Sequence, residues 1–210
     1  SYDIGENPFK FLKQRYALID QASYKAQAQE LGVGFVDGFI GYIGYDAVKI
    51  FEPRLRSHMD SLKDDITIPD IDLMRPKLVC TFSHKSNTLT LSTFVPSIAS
   101  QMDAIETVLK EPHTHIPIQK SVFDKAKGTF AFSKDQFFDM VARSKEMILS
   151  GDVFQILMSN RFTQYAKIDR LSFYRILRQK NPSPYMFYLS YPEFAIIGSS
   201  PEVMVGLKDG

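Results

Sequence analysis

A chain of 210 residues is long enough for one medium domain or two small ones with a buried core. Hydrophobic residues at 44% and charged residues at 23% exclude a disordered tail, a collagen-like rod and a disulfide-dense secreted scaffold. Lys plus Arg number 25 against 24 acids, and a net charge of +1 leaves no basic footprint for nucleic acid.

Asp37, Asp46 and Lys49 interrupt the longest apolar stretches well short of a membrane span, and no secretion leader is legible at the start. The single Cys80 has no internal disulfide partner, which fits a reducing cytoplasm. The expectation is a cytoplasmic globular protein.

Asn7-Pro8 signals a helix start, with Phe9, Leu12, Tyr16 and Ile19 at helical spacing. Glycine then alternates with aromatic residues from Gly34 to Tyr45. The glycines lack phosphate-loop spacing, so the run reads as sheet packing with close backbone approach. Asp46 is positioned to cap a short helix Ala47–Phe51, and residues 54–76 read as loop; the Asp64-Asp65 pair within it reads as solvated. Lys77–His84 and Thr88–Val95 alternate around Lys85-Ser86-Asn87, the pattern of an antiparallel hairpin. Ile98, Met102, Ile105 and Val108 mark one amphipathic helix.

Residues 110–128 carry two prolines and His113-x-His115 with no sustained period. They mark a boundary between two units: a first unit to about residue 120, a linker over 121–132, and a second unit from 133 to 210. The His-x-His reads as solvated loop. Ser133 and Gln136 form a capping box ahead of a helix that stops at Gly151. Val153–Tyr165 reads as a strand, Leu171–Lys180 as a helix and Asn181-Pro182-Ser183-Pro184 as a rigid turn. Tyr185–Tyr191, Phe194–Gly198 and Glu202–Leu207 read as successive strands, and Met140, Met147 and Met158 as core fillers. Helices mixed with antiparallel strands, without βαβ regularity, give an α+β class. The chain opens without Met and closes on Asp209-Gly210, a hairpin turn with no returning strand. It therefore reads as a piece of a longer protein with an unpaired sheet edge.

No P-loop, dinucleotide fingerprint, zincin helix or nucleophile elbow is present. Four segments go further: Gly38-Phe39-Ile40-Gly41-Tyr42-Ile43-Gly44-Tyr45-Asp46; Gly151-Asp152-Val153-Phe154-Gln155-Ile156-Leu157-Met158-Ser159-Asn160-Arg161-Phe162; Asn181-Pro182-Ser183-Pro184-Tyr185-Met186; and Ile197-Gly198-Ser199-Ser200-Pro201-Glu202. In this order they resemble component I of anthranilate synthase, in the chorismate-utilising enzyme family.

The resemblance implies antiparallel sheets with outer helices, incomplete at the C-terminus. The first unit would be the latter part of the family's N-terminal domain, the second the opening part of its chorismate-binding domain. It implies conversion of chorismate and ammonia to anthranilate and pyruvate in tryptophan biosynthesis. The ammonia would come from a glutamine amidotransferase subunit, and Mg²⁺ would hold the substrate carboxylate through ligands beyond Gly210. Loss of the 4-hydroxyl needs a general acid, because hydroxide is a poor leaving group. The resemblance gives that role to Glu202 and makes Gln155 the second catalytic position. In water-adding relatives a lysine base stands there, whereas an amide is no base near pH 7 and suits ammonia, which is already nucleophilic. Pro184, Tyr185 and Met186 are implied to line a site for L-tryptophan as feedback inhibitor, although the family's Leu-Leu-Glu-Ser element is not in this chain. Two other readings stand beside it: aminodeoxychorismate synthase component I, and an effector-binding module with no activity of its own.

Overall fold

The computed structural model describes residues 7–124 and 127–207. The chain forms two compact units, Ser1–His113 and Thr114–Gly210. Both mix helices with antiparallel strand pairs, the expected α+β class.

The first unit opens with α1 (Pro8–Tyr16) and α2 (Gln21–Leu31). Asn7 caps α1 by accepting the Phe9 N–H at 3.0 Å, and Asp20 caps α2 by accepting from Ser23 at 3.1 Å. Gly32 ends α2 in the left-handed conformation at φ 64°. The glycine-rich run contributes one short strand, β1 (Ile40–Ile43).

Residues 54–76, expected as loop, instead contain its partner. After α3 (Val48–Phe51) and α4 (Arg56–Met59), β2 (Ile71–Met74) returns antiparallel, pairing Gly41 with Leu73. A Cβ at Gly41 would overlap the Asp72 carbonyl, so glycine here permits close strand approach. Asp46 does not cap a helix by its side chain; a 3₁₀ turn at Tyr45–Ala47 feeds α3 directly. In the loop before β2, Asp64 Oδ1 accepts the Ile66 and Thr67 N–H groups at 3.1 and 2.9 Å. Lys49 lies 3.5 Å from Asp70 and 3.6 Å from Asp60, and attraction to Asp70 raises its pKa.

The expected hairpin forms as β3 (Val79–Ser83) and β4 (Thr88–Ser92), with Cys80 free and exposed. The single helix expected beyond it breaks at Ser100-Gln101 into α5 (Pro96–Ala99) and α6 (Met102–Lys110). Leu89 and Leu91 of β4 and Met102 and Leu109 of α6 line a groove of about 430 Å³.

Asp37 centres this unit. Its carboxylate is 1% exposed and accepts both the Arg75 Nε–H, at 2.9 Å, and an Nη2–H from the same guanidinium. That guanidinium lies 3.6 Å from the centre of the Phe94 ring. Thr81 and Ser92 hydroxyls donate to the Phe35 and Val36 carbonyls, binding the segment beside Asp37 to the hairpin.

In the second unit, β5 (Thr129–Phe130) precedes α7 (Lys134–Leu149). The Ser133/Gln136 capping box is present in both directions, and Gly151 turns the chain at φ 83°. Of the expected strand Val153–Tyr165, only β6 (Phe162–Thr163) forms, pairing with β5. Residues before it run outside any strand, and Phe154 and Leu157 are exposed. Alternation makes a segment capable of a strand, but a ladder needs a partner.

Asn160 supplies a substitute rung. Its side-chain amide donates to the Phe132 carbonyl at 3.0 Å and accepts the Phe132 N–H at 3.1 Å, continuing the pairing past Ala131 and Arg161. Met158 sulfur accepts from the Ser144 hydroxyl at 2.9 Å, whereas Met147, expected in the core, is 47% exposed.

Asp169 caps α8 (Arg170–Lys180) by accepting the Ser172 N–H at 2.7 Å. Buried Ser172 accepts the Gln119 N–H, and Arg175 donates to the Ile116 carbonyl, which ties residues 116–119 to α8. β7 (Tyr185–Ser190) and β8 (Ala195–Ser200) form the longest strand pair, and Tyr191 and Phe194 stack at 4.7 Å across their turn. The expected third strand, Glu202–Leu207, is absent: residues 202–207 run without a ladder, and Met204 and Val205 are exposed. The Asp209-Gly210 turn lies outside the described residues. Among the described residues no helix is long and apolar enough to cross a membrane.

Two outcomes follow from these contacts. Asn160→Ala removes both bonds to Phe132 and should lower unfolding free energy by roughly 1–3 kcal/mol in urea titration; an unchanged midpoint contradicts the latch. Hydrogen bonds from Ser172 hold the Asp169 carboxyl below its usual range. A depressed carboxyl stabilises the fold above its unfolded pKa and loses that contribution as pH falls through the folded value. Asp169→Asn keeps a capping oxygen without the titration, so its stability should fall less steeply on acidification than the wild type's.

Candidate active site

The β7–β8 register decides which of the candidate residues meet. Tyr185 pairs with Ser200, Met186 with Ser199 and Phe187 with Gly198, through to Ser190 with Ala195. Side chains directly opposite share a face and alternate along the strand. Tyr185, Phe187, Leu189, Ile196, Gly198 and Ser200 therefore lie on one face. Met186, Tyr188, Ile197 and Ser199 lie on the other, which is covered by α8: the Tyr188 ring sits 5.9 Å from that of Tyr174. A Cβ at Gly198 would overlap the Phe187 ring, so glycine lets the ring lie flat across the neighbouring strand.

Glu202 lies just past the end of β8, exposed, in the bend that follows Pro201. The Ser200 hydroxyl donates to the Glu202 backbone carbonyl at 3.1 Å. Pro184 immediately precedes β7, and Tyr185 and Met186 open it. Four of the five candidate residues thus stand at one end of one hairpin, because the strand that follows the Asn-Pro-Ser-Pro turn pairs with the strand that precedes Pro201-Glu202.

Tyr185 and Met186 point to opposite faces, so one ligand cannot lie flat against both side chains from one side of the strand. On the α8 face, the Ser183 hydroxyl lies 3.4 Å from the Met186 sulfur. Gln155 is exposed in the unpaired stretch after α7, and among the described residues no hydrogen bond or ion pair joins it to the hairpin end. A carboxyl at Glu202 can hold and deliver a proton, and an amide at Gln155 can donate or accept a hydrogen bond without acting as a base. Among the described residues no group of three or more His, Cys, Asp or Glu is placed to hold a metal. They do not fit a Mg²⁺ site.

Two residues emerge from the structure that the sequence did not mark individually. Ser199 donates its hydroxyl to the Asn181 carbonyl at 2.6 Å, joining the end of β8 to the end of α8. Asn160 latches the stretch that carries Gln155. A serine or asparagine inside a recurring segment carries no periodic signal, so only the contact identifies it.

Comparison with known proteins places the chain in a family. A family model described as chorismate binding enzyme matches residues 3–210. Anthranilate synthase component 1 of Aquifex aeolicus is 33% identical over 189 residues, covering 84% of this chain and 37% of that protein. The same component of Lactococcus lactis is 31% identical over 208 residues, covering 96% of this chain and 44% of that protein. The chain thus spans less than half the length of these relatives. The crystal structure of anthranilate synthase component I from Streptococcus pneumoniae shares the fold with a TM-score of 0.66 at 24% identity, over 84% of this chain and 41% of that one. A family match along nearly the whole chain, and a shared fold, make this chain a member of the chorismate-binding enzyme family.

Proposed function

We propose that these 210 residues are part of an anthranilate synthase component I, which converts chorismate and ammonia to anthranilate, pyruvate and water. The observation that carries the reading is the hairpin end, where Ser199-Ser200-Pro201-Glu202 meets the Pro184-Tyr185-Met186 segment. Relatives that bear the component's name at 33% and 31% identity support it.

In this reading Glu202 is the general acid. Its carboxyl donates a proton to the 4-hydroxyl of chorismate, which leaves as water while ammonia adds to the ring. The carboxylate is reprotonated before the next turnover, and pyruvate is eliminated as the ring becomes aromatic. Gln155 faces the nucleophile and accepts a hydrogen bond from ammonia through its carbonyl oxygen, without the basicity needed to activate water. A glutamine amidotransferase subunit supplies the ammonia. L-Tryptophan inhibits by packing its indole against Pro184 and the Tyr185 ring, while Met186 takes part through its backbone. Any Mg²⁺ that holds the substrate carboxylate takes its ligands from other residues than those described. The setting is the cytoplasm.

The test uses the full-length protein with chorismate, Mg²⁺ and ammonium, and identifies the product. Anthranilate with pyruvate supports the reading; aminodeoxychorismate moves the chain to the folate branch; no amination removes it. In the same assay Glu202→Gln should lower kcat by about 10²–10⁴-fold, and normal turnover excludes Glu202 as the acid. Gln155→Lys should lower amination and allow some water addition, an outcome read directly from the product profile. The 210 residues alone should bind Mg²⁺ weakly and give no turnover. Tight, saturable tryptophan binding by those residues without turnover would identify an effector module.

A further inference from the structure

We propose that Ser199 is the positioning residue for Glu202, acting through its hydroxyl bond to the end of α8. The inference rests on the assignment of Glu202 as the general acid.

Glu202 stands two residues beyond the last rung of β8, where no ladder holds the chain. A proton donor must be placed to within a fraction of an ångström, so something other than strand pairing has to fix this bend. The last two residues of β8 both use their hydroxyls for it. Ser200 turns inward along its own chain and donates to the Glu202 carbonyl at 3.1 Å. Ser199 reaches across the sheet face and donates to the Asn181 carbonyl at 2.6 Å.

Asn181 is itself a fixed anchor. It is the C-cap of α8, its N–H donates to the Leu177 carbonyl at 2.8 Å, and Pro182 follows it. A carbonyl at a helix C-terminus has no partner within the helix, so it is free to accept the serine hydroxyl. The helix in turn packs on the same sheet face through Tyr174 and Tyr188. The route is therefore short: α8 end, Asn181 carbonyl, Ser199 hydroxyl, β8 end, Ser200, Glu202. Pro201 stiffens its last step by fixing one backbone torsion. On the other face of the hairpin Gly198 has no side chain and is covered by Phe187, and the Ser200 hydroxyl is taken up by the Glu202 carbonyl.

The test is a double-mutant cycle in the full-length protein at saturating ammonium, with Ser199→Ala, Glu202→Gln and the pair. The expected result is a fall in kcat of roughly ten- to a hundredfold for Ser199→Ala with KM for chorismate unchanged. Added to Glu202→Gln, the alanine should cost nothing further, because there is no acid left to place. Ser199→Thr should restore kcat and Ser199→Val should not, since valine carries a methyl where threonine carries the hydroxyl. A normal kcat for Ser199→Ala overturns the inference, as does a loss that multiplies with that of Glu202→Gln. An alanine variant that fails to fold, or a threonine variant as slow as the valine one, makes Ser199 a structural residue and overturns it too. If Glu202→Gln itself turns over normally, the assignment of the acid has failed, and the inference falls with it.

Discussion

The register of β7 against β8 is the constraint on which the second unit depends. Side chains alternate between faces, so a one-residue slip would move Met186 and Tyr188 off α8 and carry Ser199 away from Asn181. Phe187 helps to hold the register. Its ring occupies the space above Gly198, and a slip in either direction would place it against the larger Ile197 or Ser199. Tyr191 and Phe194 stack at the turn, and the Tyr191 N–H donates to the Phe194 carbonyl at 2.9 Å. A steric lock midway and a closed turn at one end leave the other end, where the candidate residues gather, with a defined geometry.

The first unit rests on a different kind of interaction. A carboxylate as buried as that of Asp37 is costly unless its charge is matched and its oxygens are hydrogen-bonded. Arg75 does both, and the Phe94 ring covers the guanidinium. Arg75 follows β2 directly, so the ion pair fixes how the β1–β2 pair meets the segment that leads into it. Side-chain hydroxyls of Thr81 and Ser92 bond the same segment to the β3–β4 hairpin. The glycines between Gly38 and Gly44 serve this packing: they let the β1 backbone pass close to Asp70 and Asp72.

Local signals were legible in the sequence and pairing signals were not. Asn7, the Ser133/Gln136 box and the Lys85-Ser86-Asn87 turn each act within a few residues, and each element forms where they place it. The β2 strand carries no local signal, because Ile71–Met74 lies in polar, proline-containing surroundings and is made a strand by β1, some 30 residues earlier. Val153–Tyr165 and Glu202–Leu207 failed in the opposite way. Their alternation is real, but a strand is a property of two segments, and among the described residues only Phe162–Thr163 of these join a ladder. For the site, the motifs identified Glu202 and the Pro184–Met186 segment, but not that they share a hairpin end. Nor did they indicate the opposite facing of Tyr185 and Met186, or the hydroxyl of Ser199, which depend on strand register.

The most direct measurement is disulfide trapping across the hairpin end in the full-length protein, with Cys80 replaced by Ser. A Tyr185→Cys/Ser200→Cys pair, directly opposite in this register, should close rapidly under mild oxidation. A Tyr185→Cys/Glu202→Cys pair, which would face each other only after a two-residue slip, should close slowly. Faster closure of the second pair would contradict the register, and with it the placement of Glu202 beside the Asn181–Pro184 turn.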